Sequence, residues 1–157
     1  MMQIDQKDAQ ILNLVQVDNR LTTGEIGDEI GLSHSGVVRR LKRLREYAVI
    51  VADVSLVSPE AVGYSVRVNV SCSIDRDRPD THERFMDVLR ADPLVISADI
   101  VMGKADFTFT VVARDMEAFA DFLERYQAAF PTLNGLTSLA VLREVKRGLV
   151  ILVEPIS

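Results

Sequence analysis

Residues 28–50 read DEIGLSHSGVVRRLKRLREYAVI, and the fold of the N-terminal part of the chain follows from this stretch. Apolar residues recur every three or four positions, which predicts two helices. Gly31 separates them, because glycine readily adopts the left-handed backbone conformation in which many helices end. Ser33 is of the residue type that caps the next helix. A short helix, a glycine turn and a second amphipathic helix are typical of a helix-turn-helix.

The residues before this stretch predict a third helix and a close approach within the motif. Apolar periodicity predicts a helix over 5–17, and Thr22 or Thr23 can cap the short helix that follows. Gly27 lies inside that short helix, where glycine costs about 1 kcal/mol relative to alanine. We therefore expect another helix to pass too close to admit a side chain. A generic three-helix bundle is the alternative, but the joint spacing of glycines and apolar residues favours the helix-turn-helix.

The second helix of the motif concentrates positive charge within an acidic chain. The net charge is −5, from 18 basic and 23 acidic residues, which argues against coating of nucleic acid through global charge. A local cationic face opposite the apolar stripe can still contact phosphates or guanine edges, although a solvated helix face is the alternative. An isolated surface histidine such as His34 more often covers the turn than reads a base. The predicted DNA contacts are Ser33, His34, Ser35, Arg39, Arg40, Lys42 and Arg43.

After the third helix the pattern changes from helix to strand. Residues 49–57 are rich in β-branched side chains, which predicts a linker strand over 51–62 between two domains. Residues 66–74 then alternate strictly between apolar and polar, as expected for a strand buried on one face. Cys72 falls on the apolar side and is predicted to be a core residue.

Two helices and three further strands complete the predicted second domain. Asp80 and Glu83 form a possible capping box, and Asp115 can cap the other helix. The order β-α-β-β-α-β predicts a ferredoxin-like sandwich, with two helices on one face of a four-stranded antiparallel sheet. The fold class is therefore α+β. The three further strands are predicted over 95–102, 107–113 and 136–146, and a final apolar strand over 149–153.

The strand pattern also predicts a homodimer. Apolar side chains occur at both odd and even positions around 95–102 and 149–153, so an isolated two-layer unit would expose some of them. We expect a second copy to bury the open sheet face. A two-fold dimer suits DNA, because it can place two recognition helices in successive major grooves about 34 Å apart.

The quoted stretch, with IDQKDAQILNLVQVDNRLT at residues 4–22, resembles the recognition segment of the Lrp/AsnC (feast/famine) transcription regulators. The likeness continues to the end of the chain. It implies a winged-helix-like helix-turn-helix domain over 1–50, the linker strand over 51–62, and a ferredoxin-like effector domain, called the RAM domain, over 63–157. It also implies dimers that assemble into tetramers or octamers. Two departures are visible: His34-Ser35-Gly36 replaces a segment that often contains proline and threonine, and Ala48 stands where a glycine is usual.

The resemblance further implies a small-molecule site. VMGKADFTFTVVARDMEAFADFL at residues 101–123 resembles the family's glycine-x-x-aspartate loop, which lines an amino-acid pocket at the contact between dimers. LTSLAVLREVK at 136–146 resembles the closing strand. The ammonium of Lys104, which replaces a usually acidic residue, could pair with an effector carboxylate. Turn chemistry is the alternative, with glycine for positive φ and aspartate for a local side-chain bond. The implied effector-binding residues are Gly103, Lys104, Asp106 and Ser138.

The sequence offers little for catalysis, metals or membranes. One cysteine and two histidines give no familiar metal-binding spacing. No nucleophile–base constellation or phosphate loop is legible, so we expect neither an enzyme nor a cofactor. No apolar run reaches the about 18 residues that cross a bilayer, and the N-terminus lacks the features of a secretion signal, which predicts the cytoplasm.

The predicted function is sequence-specific DNA binding by a transcription regulator whose assembly or DNA affinity responds to an amino-acid-like effector. Two alternatives remain at this point. One is an architectural DNA-binding protein that is insensitive to effectors, and the other is a small ferredoxin-like enzyme fused to a DNA-binding domain.

Overall fold

The computed structural model describes residues 2–75, 79–148 and 150–156, and the chain divides into two compact units. The first unit combines Met1–Ser55 with Lys146–Ser157, and the second is Leu56–Val145. The C-terminal residues thus belong by their contacts to the first unit, whereas the sequence boundaries assign them to the second domain.

Within the described residues, the first unit contains three helices: α1 (Gln6–Val15), α2 (Thr23–Ile30) and α3 (His34–Glu46). Each begins at a side-chain cap whose oxygen accepts from a backbone N–H, and the caps are Asp5, Thr22 and Ser33. The sequence predicts Ser33 and offers Thr22 as one of two candidates. The apolar stripes of the helices meet in one buried core that includes Ile11, Ile26, Ile30, Val37, Leu41 and Leu44. Full burial of such side chains stabilises by about 1.5–3 kcal/mol each, so the core holds the three helices together.

The turn between α2 and α3 is tight. Gly31 has φ +68°, the left-handed conformation predicted for it, and the Leu32 N–H donates to the Gly27 carbonyl at 2.9 Å. A Cβ at Gly27 would lie 2.5 Å from the Leu32 carbonyl oxygen and 3.7 Å from Val37 of α3. The predicted close approach is therefore confirmed, but the nearest atom belongs to the backbone of the turn itself rather than to another helix.

The C-terminal segment docks on α1 through side-chain amides. The Asn13 amide donates to the Val153 carbonyl and accepts from the Val153 N–H, both at 3.0 Å. Gln16 makes the same pair of bonds with Ile151, at 3.1 and 3.0 Å. The predicted strand over 149–153 is therefore wrong for its described residues, because side-chain amides take the place of a neighbouring strand; Leu149 lies outside the described residues.

The second unit is a ferredoxin-like sandwich, as predicted. Its elements are β1 (Val66–Ile74), α4 (Pro79–Ala91), β2 (Val95–Ile100), β3 (Phe107–Ala113), α5 (Met116–Ala129) and β4 (Leu133–Ala140). The described sheet has the strand order β2-β3-β1-β4 with antiparallel pairs, and the helices cover one face.

An aromatic cluster lies at the centre of this unit. Phe85 of α4 is fully buried, and its ring centroid lies 5.0 Å from those of Phe107 and Phe130, with edge-to-face geometry. The alternation of β1 is confirmed, because its apolar residues from Val68 to Ile74 all point into this core. Cys72 is fully buried, and burial, aided by the charge of Asp106, raises the pKa of its thiol to about 11. The thiol is therefore protonated and inert at neutral pH.

Several predicted boundaries are wrong. The linker over 51–62 forms no strand: its residues up to Val57 are exposed and pair with no strand that the structure describes, and Glu60–Val62 is a short 3-10 helix. β2 ends at Ile100 rather than 102, and β4 runs from Leu133 to Ala140 rather than over 136–146. α4 already begins at Pro79, so Asp80 lies inside its first turn and not at its cap.

The open face of the sheet is mainly polar, contrary to expectation. The side chains that line it lie on the face opposite the helices: Asn69, Ser71, Ser97, Asp99, Thr108, Thr110 and Leu139. The exposed apolar Ile100 pairs with Phe107 and so points to the helix side at the sheet edge, where it is 66% exposed. The apolar residues at odd and even positions of β2 are therefore explained by its place at the sheet edge and not by an apolar open face.

Candidate DNA-binding and effector-binding surfaces

The N-terminal end of α3 presents three polar side chains. The Ser33 hydroxyl caps the helix by accepting from the Gly36 N–H at 3.2 Å, and the Ser35 hydroxyl lies 3.3 Å from it. The His34 Nδ1 lies 2.8 Å from the Thr23 hydroxyl, which joins the first turns of α2 and α3. All three side chains are exposed. Ser33 thus has a structural role, and His34 ties the two helices of the motif together while remaining at the surface.

The outer side of α3 carries two cations that face solvent. Arg39 is exposed and makes no ion pair with any residue that the structure describes. Lys42 is 75% exposed, and its Nζ lies 3.7 Å from the Glu46 carboxylate one helical turn away. Exposed pairs of this kind contribute about 0.3–0.5 kcal/mol, so Lys42 can leave Glu46 at little cost.

Arg40 and Arg43 do not share that outward position, and this corrects the sequence interpretation. Arg40 donates to Asp5 at 2.6 Å and to Asp8 at 2.8 Å, while Arg43 donates to the other Asp8 oxygen at 2.5 Å. Asp8 is fully buried, and only 21% of the Arg40 side chain is exposed. Periodicity places both arginines away from the apolar stripe, but it cannot show that carboxylates of α1 lie beside them.

The charges at this contact reinforce one another. Partial burial opposes ionisation of Asp5, but hydrogen bonds from Arg40 and from the Asp8 N–H outweigh it and hold the pKa of Asp5 below its usual value. The Asp5 hydrogen bond in turn raises the pKa of Arg40. Farther along α3, Arg45 donates to Asp53 at 2.9 Å. Most of the positive charge counted on α3 is therefore matched within the first unit, which leaves Arg39 and Lys42 as the cations best placed for a ligand.

The end of α3 explains one departure from the family pattern. Ala48 has φ +52°, in the left-handed region, and the Val49 N–H donates to the Leu44 carbonyl at 2.8 Å. This bond is the six-to-one bond of a Schellman motif. The left-handed residue of that motif, here Ala48, is usually a glycine. A left-handed conformation costs an alanine about 1–2 kcal/mol, so the glycine that the resemblance implies at this position has a backbone reason.

Three of the four predicted effector residues lie in the loop between β2 and β3. The Asp106 N–H donates to the Cys72 carbonyl at 3.0 Å, and its carboxylate accepts from the Ile74 N–H at 3.4 Å. Gly103 does not have a positive φ, so the turn-chemistry explanation does not apply to it. Lys104 is exposed. Asp106 therefore ties the loop to the end of β1, and Gly103 and Lys104 are carried at the surface.

The fourth predicted effector residue, Ser138, lies away from that loop within one chain. Ser138 lies on β4 opposite Val70, whereas Asp106 bonds to β1 from the β3 side. β1 thus separates Ser138 from the loop.

The sequence did not predict a cavity of about 240 Å³ on the open sheet face. It is lined mainly by the hydroxyl and amide side chains listed above, whose alternation in the sequence looks like that of an ordinary solvent-facing side. Among the described residues, no group of acidic, histidine or cysteine side chains could hold a metal ion. Of the helices in the same residues, none combines the length and apolar character that crossing a membrane requires.

Comparison with known protein families shows which kind of protein carries these surfaces. A family model described as the AsnC-type helix-turn-helix domain matches residues 4–45, and one described as the Lrp/AsnC ligand binding domain matches residues 67–151. The chain belongs to the Lrp/AsnC family of transcription regulators. The helix-turn-helix unit and the ferredoxin-like unit of this Lrp/AsnC regulator are thus a DNA-binding domain and a ligand-binding domain.

Individual relatives agree with this assignment. An uncharacterized HTH-type transcriptional regulator of Sinorhizobium fredii is 42% identical over 92% of this chain and 86% of that protein. The leucine-responsive regulatory protein of Escherichia coli is 27% identical over 92% of this chain and 88% of that protein. The crystal structure of a Neisseria meningitidis transcriptional regulator in complex with L-methionine superposes with a TM-score of 0.88, at 29% identity, and covers 94% of this chain and 95% of that one.

Proposed function

We propose that this Lrp/AsnC regulator reads double-stranded DNA with the N-terminal half and outer side of α3, and that an amino-acid-like effector modulates its binding. The DNA contacts would be Ser33, His34, Ser35, Arg39 and Lys42. The observation that carries the proposal is the exposed, unmatched guanidinium of Arg39 on the helix whose neighbouring cations are matched inside the unit. Such a group can contact a phosphate or a guanine edge without first leaving a partner.

Substitution of Arg39 tests this surface. Arg39→Gln is expected to weaken binding to a duplex selected by the parent protein from a random library by about 1–3 kcal/mol, the usual range for a good base contact. If Arg39 instead contacts phosphate, the negative slope of log K against log salt should become shallower by about 0.9 for each lost contact. Fluorescence anisotropy at several salt concentrations measures both quantities.

Arg90→Gln is the matched control for Arg39→Gln. Arg90 lies on α4 of the other unit, is 68% exposed and pairs only with its neighbour Asp87 among the described residues. It should leave DNA affinity unchanged. Equal affinities of the Arg39 variant and the parent at every salt concentration would remove Arg39 from the interface.

We propose a homodimer as the DNA-binding form, with further assembly to a tetramer or octamer. Two copies of α3 related by a two-fold axis can enter successive major grooves on one side of the duplex. The polar open face is compatible with a dimer contact, since protein interfaces outside obligate dimers are about as polar as ordinary surface. Light scattering with and without amino acids gives the assembly state directly.

We place the effector at the loop that carries Gly103, Lys104 and Asp106, with Ser138 contributed from a different part of the assembly. The Lys104 ammonium would pair with the effector carboxylate, and Asp106 would hold the loop on β1. In calorimetric titrations with L-methionine and a panel of other amino and oxo acids, Lys104→Ala should weaken binding of the preferred ligand about tenfold or more. This range corresponds to a lost hydrogen bond to a charged group, about 1.5–3 kcal/mol. Arg90→Ala serves as the control, and an unaltered binding profile for the Lys104 variant would exclude the pairing.

The same titrations decide between the remaining functions. A regulator that is insensitive to effectors would bind no member of the panel, and its assembly and DNA affinity would not respond to any of them. We propose that the chain acts as a regulator in the cytoplasm and not as an enzyme, in keeping with the transcriptional regulators to which it is similar.

A further inference from the structure

The buried carboxylate of Asp8 is an unusual feature of the DNA-binding unit. Among the described residues of the chain, Asp8 is the one charged side chain that is fully buried. Its Oδ1 accepts from Arg40 and its Oδ2 from Arg43 and, more weakly, from the Asp5 N–H at 3.3 Å. Both oxygens of one α1 residue thus hold two arginines one turn apart on α3.

Stability alone does not account for such an arrangement. Taking a carboxylate out of water is costly, and a buried ion pair is often no more stabilising than apolar side chains of similar volume. The surrounding core already packs α1 against α3 through Ile11, Leu41 and Leu44. Apolar contacts are non-directional, however, and permit small rotations and shifts of one helix against another. A carboxylate that must meet two guanidinium groups at hydrogen-bond distance permits far fewer.

The inference rests on the proposed DNA-binding function of α3. We propose that Asp8 is a positioning residue for DNA recognition: it fixes the rotation and height of α3 on α1, and it keeps Arg40 and Arg43 from binding phosphates. Both effects favour the selected sequence over others. The first aims the Arg39 side of α3 at the groove, and the second removes sequence-independent charge contacts, which supply most non-specific binding.

Asp8→Asn tests the proposal. Asparagine keeps one acceptor oxygen but replaces the other with a donor, so it can hold only one of the arginines. Arg43 is the more exposed, with 43% of its side chain accessible, and it should turn outward. On a scrambled duplex of the same composition, the slope of log K against log salt should therefore become steeper by about 0.9 for each freed cation that finds a phosphate. The ratio of affinities for the selected and scrambled duplexes should fall about tenfold.

Arg43→Gln provides the second arm. If Arg43 only positions α3, its removal should weaken binding to the selected duplex but leave the salt slope at the parent value. Arg39→Gln and Arg90→Gln, measured in parallel, give the slopes for loss of a DNA contact and for no change. Thermal melting of each variant sets the assay temperature below its transition, so that loss of folded protein does not enter the binding curves.

The outcomes separate clearly. The positioning role would be overturned if the salt slope of Arg43→Gln became shallower by as much as a lost phosphate contact predicts. It would also be overturned if Asp8→Asn left both the salt slope and the selectivity unchanged. If Asp8→Asn does not fold, the slope of Arg43→Gln decides alone. Failure of the underlying function looks different, because the parent would then enrich no duplex and Arg39→Gln would change nothing.

Discussion

Phe85→Ala is expected to lower the free energy of unfolding of the ferredoxin-like unit by about 3–5 kcal/mol, the range for removal of a buried aromatic side chain. The Phe85 ring is fully buried and contacts four other aromatic rings, those of Phe107, Phe109, Tyr126 and Phe130. These rings come from both layers of the sandwich and from the end of α5. The cavity left by the substitution would therefore have rigid walls that cannot readily collapse into it.

The buried thiol gives a specific measurement of this effect. Cys72 is the only cysteine in the sequence and lies in the same core. Because its pKa is raised to about 11 and its side chain is fully buried, it should react with a thiol reagent at neutral pH only when the second unit opens. Urea titrations followed by thiol reactivity thus report this unit, while far-ultraviolet circular dichroism reports both units.

Met116→Ala is the control for Phe85→Ala. Met116 begins α5 and is 55% exposed, so its truncation should change the free energy of unfolding by less than about 0.5 kcal/mol. If Phe85→Ala shifted the urea midpoint of thiol reactivity no more than Met116→Ala does, the aromatic cluster would not make the predicted contribution to the free energy of unfolding of this unit.

The elements that could be predicted from the sequence are those whose causes are local. The N-cap at Ser33 and the glycine stop at Gly31 depend on residues within one helical turn, and the structure has them where the sequence predicts. The alternation of β1 likewise needs only the period of a strand with one buried face. These local rules also place the exposed Arg39 on the outer side of α3.

The errors arise where the outcome depends on a distant partner. The linker has the composition of a strand, but none of the described strands pairs with it, so Val51 and Leu56 remain exposed. The C-terminal segment finds its partners in Asn13 and Gln16, more than 130 residues away. For the candidate site, the decisive contact joins Asp8 to arginines 32 and 35 residues later. Helical periodicity shows which side of α3 a residue occupies, but not which side chain of α1 lies there.

Gly27→Ala is expected to destabilise the helix-turn-helix unit by about 1–3 kcal/mol, the usual cost of inserting a methyl group where there is no room. The added Cβ would lie 2.5 Å from the Leu32 carbonyl oxygen, a distance that real Cβ atoms essentially never show. The clash is with backbone, so α3 must move away from α2 or the turn must open. Binding to the selected duplex should therefore weaken more than the loss of stability alone explains.

Helix propensity predicts the opposite sign for Gly27→Ala, which makes Gly24→Ala a decisive control. Gly24 lies in the same helix, but the nearest atom to its added Cβ would be the Thr22 hydroxyl at 3.8 Å, an ordinary contact. Gly24→Ala should thus stabilise the unit by about 0.5–1 kcal/mol, because alanine is the better helix former. Thermal melting and anisotropy of the two variants separate propensity from packing: if both raised the melting temperature, the turn would have room for a side chain, and the close approach would not be what positions α3.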